Sequence, residues 1–182
     1  KEYINNKPKR EKLKPVQSEV NFIYNKIDYY NGRAASIQDA NALIEECENK
    51  LIIIKNEFAQ SPSNEEYLEI SSSVVRVAFG KLIVCFNDAS NKRGNYVKYL
   101  NQQSLADQFG GLSGFPNLGT SSLQMPEPYS LAQIKSVVEK VWATIEKIKK
   151  LDMSNERQQH FNENRDVIKS ACQELNIKTH DG

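Results

Sequence analysis

The chain is poor in the residues that catalysis and metal binding rely on. Its 182 residues include two histidines (His160 and His180), one tryptophan and two methionines. A zinc site takes about four thiolate or imidazole ligands at close spacing. The nearest approach here, Cys172 with His180, makes no such set. Arg157 and His160 stand too close together for the Arg…His spacing of helical nucleases, and His160 reads as a solvated surface residue. No Glu-x-x-His pair is present, which removes the di-iron site that some helical bundles carry. No Gly-Lys-Ser/Thr follows the glycines at 110–114, so that run lacks the ammonium and hydroxyl of a phosphate loop.

Other absences bound the class. Cys47, Cys85 and Cys172 are an odd, widely spaced set, and no Asn-x-Ser/Thr sequon occurs. They read as free core thiols of a protein kept in a reducing, cytoplasmic compartment. No stretch of about 18 apolar residues exists to span a bilayer. The longest candidate, Val74 to Phe86, is interrupted by Arg76 and Lys81. A net charge of +1 gives no global reason to expect nucleic acid or membrane binding. The first 14 residues carry +4, which leaves the rest of the chain at −3. With Pro8 and Pro15, they read as a basic linker or arm, residues 1–14, ahead of a single domain over 15–182. The first residue is Lys1 rather than methionine, so the chain is expected to be part of a longer protein. A membrane helix upstream would make the arm a juxtamembrane segment facing anionic lipid.

What is present is helical patterning. From Asn64 to Asn91 apolar side chains occur on nearly every side of a helix: Tyr67, Leu68, Ile70, Val74, Val75, Val77, Phe79, Leu82, Val84 and Phe86. A helix apolar all round is buried all round, so this is the expected central helix. Ser71, Ser72, Ser73, Ala78 and Gly80 read as small positions that let neighbours come close. Three amphipathic stripes supply its partners. Val16, Val20, Ile23, Ile27 and Tyr30 form one, ended by Asn31-Gly32 as a left-handed cap. Ile37, Ala40, Ile44, Cys47, Leu51, Ile54 and Phe58 form a second, started by Ser36 with Asp39. Leu131, Ile134, Val138, Val141, Ile145 and Ile148 form the third, with Val137 and Trp142 widening it. Ser63 with Glu66, and Ser130 with Gln133, look like two further start signals. Glu45, Glu46 and Glu48 point in different directions on their helix and read as a solvated face. A short helix is expected around Tyr96 to Phe109, and a last one carries Phe161, Ile168, Ala171, Cys172 and Leu175. The sum is an all-α bundle of five or six helices around a buried central one.

Two stretches stand out as candidate sites. Residues 109–129 hold four of the eight glycines and three of the six prolines, so no helix or regular strand is expected to run through them. Long loops of this kind are often functional. Phe109, Leu112, Phe115, Leu118 and Met125 would either fold back as a plug or offer an apolar surface to a protein partner. The second stretch interleaves basic and aromatic residues, Lys92, Arg93, Tyr96, Lys98 and Tyr99, as single-strand stacking platforms do. Two tyrosines three apart are also ordinary half-buried bundle residues, and Asp88 is adjacent.

The order of Leu43-Ile44-Glu45-Glu46-Cys47, Glu66 to Val75, Leu151-Asp152-Met153-Ser154 and Phe161-Asn162-Glu163-Asn164-Arg165 resembles a family. It is that of uncharacterised helical domains at the C-terminal ends of bacterial multidomain proteins, some with a J-domain or zinc-ribbon module in front. The resemblance covers most of residues 15–176 and implies no activity, cofactor or site residue. Taken together, the sequence leads to the expectation of a non-enzymatic interaction or accessory domain without a cofactor. Its surface would lie near the 109–129 loop. A nucleic-acid-associated domain, or an enzyme whose site assembles only on folding, are the alternatives.

Overall fold

Apolar residues spaced three and four apart become the inward faces of five helices in the computed structural model, which describes residues 11–59, 64–110 and 131–179. Within these ranges every side chain is described except those of 99 and 102–110. The helices are α1 (Gln17–Asn31), α2 (Ile37–Phe58), α3 (Glu65–Gly110), α4 (Leu131–Ile148) and α5 (Asn155–Glu174), with a 3-10 turn at Lys14–Val16. Every described element is helical, so the protein is an all-α bundle.

Cross-links between helices give the directions. Glu19 meets Lys50 and Tyr30 meets Glu46, so α1 and α2 are antiparallel. Asn41 meets Thr144 and Glu45 meets Lys147, so α2 and α4 are parallel. Lys81 of α3 reaches the α1–α2 connection while Lys55, late in α2, lies over Tyr67, early in α3. The helices therefore alternate up and down, as short connections between neighbours favour.

The core follows the stripes read from the sequence. Val20, Ile23, Ile27 and Tyr30 of α1 are buried, as are Ala40, Ile44, Cys47, Leu51, Ile54 and Phe58 of α2. Ile134, Val138, Val141, Trp142, Ile145 and Ile148 of α4 join them, with Phe161, Ile168 and Cys172 of α5. Leu131, the first residue of its stripe, is instead 49% exposed. Along α3 the buried apolar positions run from Tyr67 to Ala89, so this helix is the centre of the bundle.

Several expectations need correction. The central helix does not stop near Asn91; it continues unbroken to Gly110, so the turn-forming run NDASNKRGN and the separate short helix are both absorbed into α3. Gly94 tolerates helical backbone like any residue, and a 46-residue helix dilutes the roughly 1 kcal/mol a glycine costs. Part of the stretch read as an arm is also ordered against the core. Residues 11–13 are helical and Leu13 is 1% exposed, because Leu13 lies three positions before Val16 and extends the α1 stripe. What precedes residue 11 in the arm lies outside the described residues.

Gly32 does not form a left-handed cap; its φ is −74°. The end of α1 is closed by Gly32 N–H to Asp28 O and Arg33 N–H to Tyr30 O, at 3.1 and 3.2 Å. A left-handed cap occurs instead after α5. Asn176 takes φ 53°, and Ile177 N–H donates to Cys172 O at 2.8 Å while Asn176 N–H donates to Gln173 O. Ser36 caps α2 as expected, its hydroxyl accepting from Asp39 N–H at 3.0 Å. Ser63 and Ser130 lie outside the described residues. Glu66 is buried and its carboxylate takes a 2.9 Å hydrogen bond from Lys12.

Gly80 is not a close-packing position: a Cβ there would meet nothing within 4 Å. Ser71 and Ser72 do more than let helices approach. Ser71 Oγ donates to Asp152 O at 2.6 Å, and Ser72 Oγ accepts from Ser154 N–H at 2.9 Å. They fasten the α4–α5 turn to the first half of α3. Ser73 bonds back to Glu69 O within its own helix.

Candidate interaction surface

The face of α3 that builds the core does not end where the core ends. Leu82, Phe86 and Ala89 are buried, and the same steps of three and four lead on to Arg93, Tyr96 and Leu100, with Val97 beside them. Among the described residues no position of α3 beyond Ala89 is buried. Val97 is 46% exposed and Leu100 43%. A helix of this length runs to about 69 Å at 1.5 Å per residue, against about 27 Å for α4. Among the described residues, the apolar stripe therefore outlasts the partners that cover it.

Arg93 marks the level at which the bundle stops. Its guanidinium meets Glu174, near the end of α5, at 2.8 Å, and Lys135 near the start of α4 donates to Asn176 O at 3.3 Å. Beyond this level α3 carries Tyr96 half-buried and Val97, Lys98 and Leu100 exposed. At 100° per residue, Lys92 and Lys98 fall on opposite flanks of the Val97–Leu100 stripe.

The basic and aromatic residues singled out in the sequence are thus on one helix but not on one face. Lys92 is paired with Asp88 at 2.7 Å and Arg93 with Glu174. Lys98 has no ion pair among the described residues. Tyr99 belongs to α3 by its backbone, and its side chain is outside the described residues. Two of the three cations have carboxylate partners, which weakens them as phosphate contacts. Of the loop residues, Phe109 is the penultimate residue of α3 rather than the start of a loop. Leu112, Phe115, Leu118 and Met125 lie outside the described residues.

The remaining reactive groups are held quiet. Burial pushes the Cys47 thiol up to about 12 and the Cys172 thiol up to about 11. The half-buried Cys85 is also raised, by burial first and then by Asp88. All three thiols are free. Thiolates are the reactive form, so none of these is an activated nucleophile. His160 is exposed. Glu45 and Glu48 are exposed, while Glu46 is partly buried and engaged. It accepts a 2.7 Å hydrogen bond from Tyr30 Oη and pairs with Lys26, which together hold its carboxyl below the usual range, Lys26 contributing most. In return, that hydrogen bond and burial lift the Tyr30 phenol to about 12. Among the described residues, no group of three or more His, Cys, Asp or Glu could hold a metal ion. None of the described helices is long and apolar enough to cross a membrane.

No family model, curated protein or solved structure matches the chain.

Proposed function

We propose that the chain is a non-enzymatic interaction module whose bundle serves as a rigid base for the distal part of α3. The observation that carries this reading is the continuation of the core stripe into Val97 and Leu100, past Ala89, the last buried position of α3 among the described residues. An exposed helical segment with an apolar stripe is poorly stable by itself, because most helical stability comes from packing that face. It is suited to an amphipathic helix of a protein partner, docked through matching apolar positions at helical spacing. Lys98, on the flank and without an ion pair among the described residues, favours a partner with a carboxylate beside its stripe.

A photo-reactive side chain at position 100 of the full-length protein, in its own cell, tests the reading. A control at Val167, the 62% exposed valine on α5, reports nonspecific contact. One discrete protein adduct at 100, absent at 167 and lost on Val97→Glu, is the expected result. No adduct at 100, or the same adducts at both positions, would overturn the proposal. Polynucleotide adducts at 100 would replace it with the nucleic-acid reading.

A further inference from the structure

Lys81 stood out in the sequence only as an interruption of an apolar run, yet its side chain is 7% exposed. Its ammonium donates to Arg33 O at 2.9 Å and Ala34 O at 3.1 Å, closing the carbonyls of the α1–α2 connection. An ammonium has three donors. Its ion-pair partner Asp39 Oδ2 stands at 3.9 Å, beyond hydrogen-bonding distance, and that oxygen already accepts from Arg33 Nε at 3.0 Å. One donor of a buried cation therefore lacks an acceptor among the described residues.

Lys81 lines an open cleft of about 220 Å³ together with Arg33, Arg76, Asn31 and Gly80. The missing side chain of Gly80 leaves its floor free, since a Cβ there would touch nothing within 4 Å. Arg33 is held in place by Asp39 on one side and by Tyr29 on the other, with Nη1 donating to Tyr29 Oη at 3.0 Å. Arg76 has no ion pair among the described residues. Three cations thus line this cleft, and no carboxylate lines it among the described residues; Asp39 pairs with Arg33 behind it. The Arg76 guanidinium, the Arg33 N–H groups not taken by Asp39 and Tyr29, and an ammonium donor match the oxygens of a tetrahedral dianion better than those of a lone carboxylate.

We propose that the cleft between the α1–α2 connection and the middle of α3 is a phosphate site, taking inorganic phosphate or a phosphate monoester. Arg76 and Arg33 bind the non-bridging oxygens and Lys81 supplies its spare donor. Such a ligand would tie the α1–α2 connection to α3 at a point distant from the Val97–Leu100 surface.

The test is a backbone amide NMR titration of the folded protein with inorganic phosphate, phosphoserine and, as a carboxylate control, glutamate, at constant ionic strength. Saturable shifts confined to residues 31–35 and 76–81 are expected with phosphate or phosphoserine. Phosphoserine binding the tighter assigns a monoester; inorganic phosphate binding the tighter assigns the free ion. Arg76→Ala should weaken binding about tenfold or more, the usual effect of losing a charge-assisted contact. Gly80→Leu should abolish it by filling the floor, and Arg93→Ala should leave it unchanged. Arg76 and Gly80 are exposed, so both variants should fold. Shifts that grow linearly without saturating, that persist in Gly80→Leu, or that glutamate reproduces at equal concentration would overturn the assignment.

Discussion

Tyr67 Oη donates a 2.6 Å hydrogen bond to Asp152 Oδ2, and Lys55 Nζ reaches the same oxygen at 2.7 Å. One carboxylate oxygen thereby joins the end of α2, the start of α3 and the turn between α4 and α5. Ser71 and Ser72 reinforce the joint by bonding the backbone of Asp152 and Ser154. Nothing in residue spacing announces this meeting, since Tyr67 and Asp152 are 85 positions apart.

The joint has a pH dependence. Lys55 first, and then Tyr67, hold the Asp152 carboxyl below its ordinary value. A carboxyl whose folded pKa lies below its unfolded one contributes fully above the unfolded value, near 4, and loses that contribution as pH falls through the folded value. Urea midpoints should therefore drop on acidification below about pH 4. Asp152→Asn, which keeps an acceptor for Tyr67 but removes the charge, should make that drop shallower. An unchanged slope in Asp152→Asn would exclude the residue as a source. Asp152 is partly exposed, so the effect belongs at the modest end.

Phe79 and Phe161 set the seam between α3 and α5. Their ring centroids are 4.9 Å apart at 54°, and the two side chains are 2% and 0% exposed. Phe161→Ala should cost about 3–5 kcal/mol by chemical denaturation, the range for removing a buried aromatic ring. A loss below about 1 kcal/mol would mean that α5 does not pack as described.

Gly80 and Gly94 are exposed within α3, and a Cβ at either would meet nothing within 4 Å. Helical glycine costs about 0.5–1 kcal/mol relative to alanine. Gly80→Ala should therefore raise stability by about that amount. Gly94→Ala should raise the helicity of the distal segment with less effect on the unfolding midpoint, because that segment is not buried.

The stripes on α1, α2 and α4 were legible because their burial follows from three-four spacing alone. Leu13 obeyed the same spacing, but Pro15 and the lysines around it concealed it. The length of α3 was hidden for the opposite reason. Asn87 to Asn95 has turn-forming composition, and propensity is a weak prior against a helix already nucleated and packed over 24 residues, from Glu66 to Ala89. Of the candidate surface, the sequence pointed to Lys92, Arg93, Tyr96, Lys98 and Tyr99 as a basic set. Only the partners Asp88 and Glu174 show that two of these charges are neutralised, and the second lies 81 positions away. Val97 and Leu100 carried a usable signal, the unbroken continuation of the core stripe from Phe86 and Ala89. The cleft around Lys81 carried none, because it depends on backbone carbonyls of the α1–α2 connection.

Amide hydrogen exchange read residue by residue along α3 tests the two-part character of this helix most directly. Amides from about Ile70 to Ala89 should exchange only through global unfolding, and those from Tyr96 to Asn101 through local opening at far lower free energy. On adding the docking partner, protection should rise at Tyr96 to Asn101 and stay constant over the buried part. Protection of Val97 and Leu100 equal to that of Leu82 in the isolated monomer would contradict the account, since it would mean that the distal stripe is already covered.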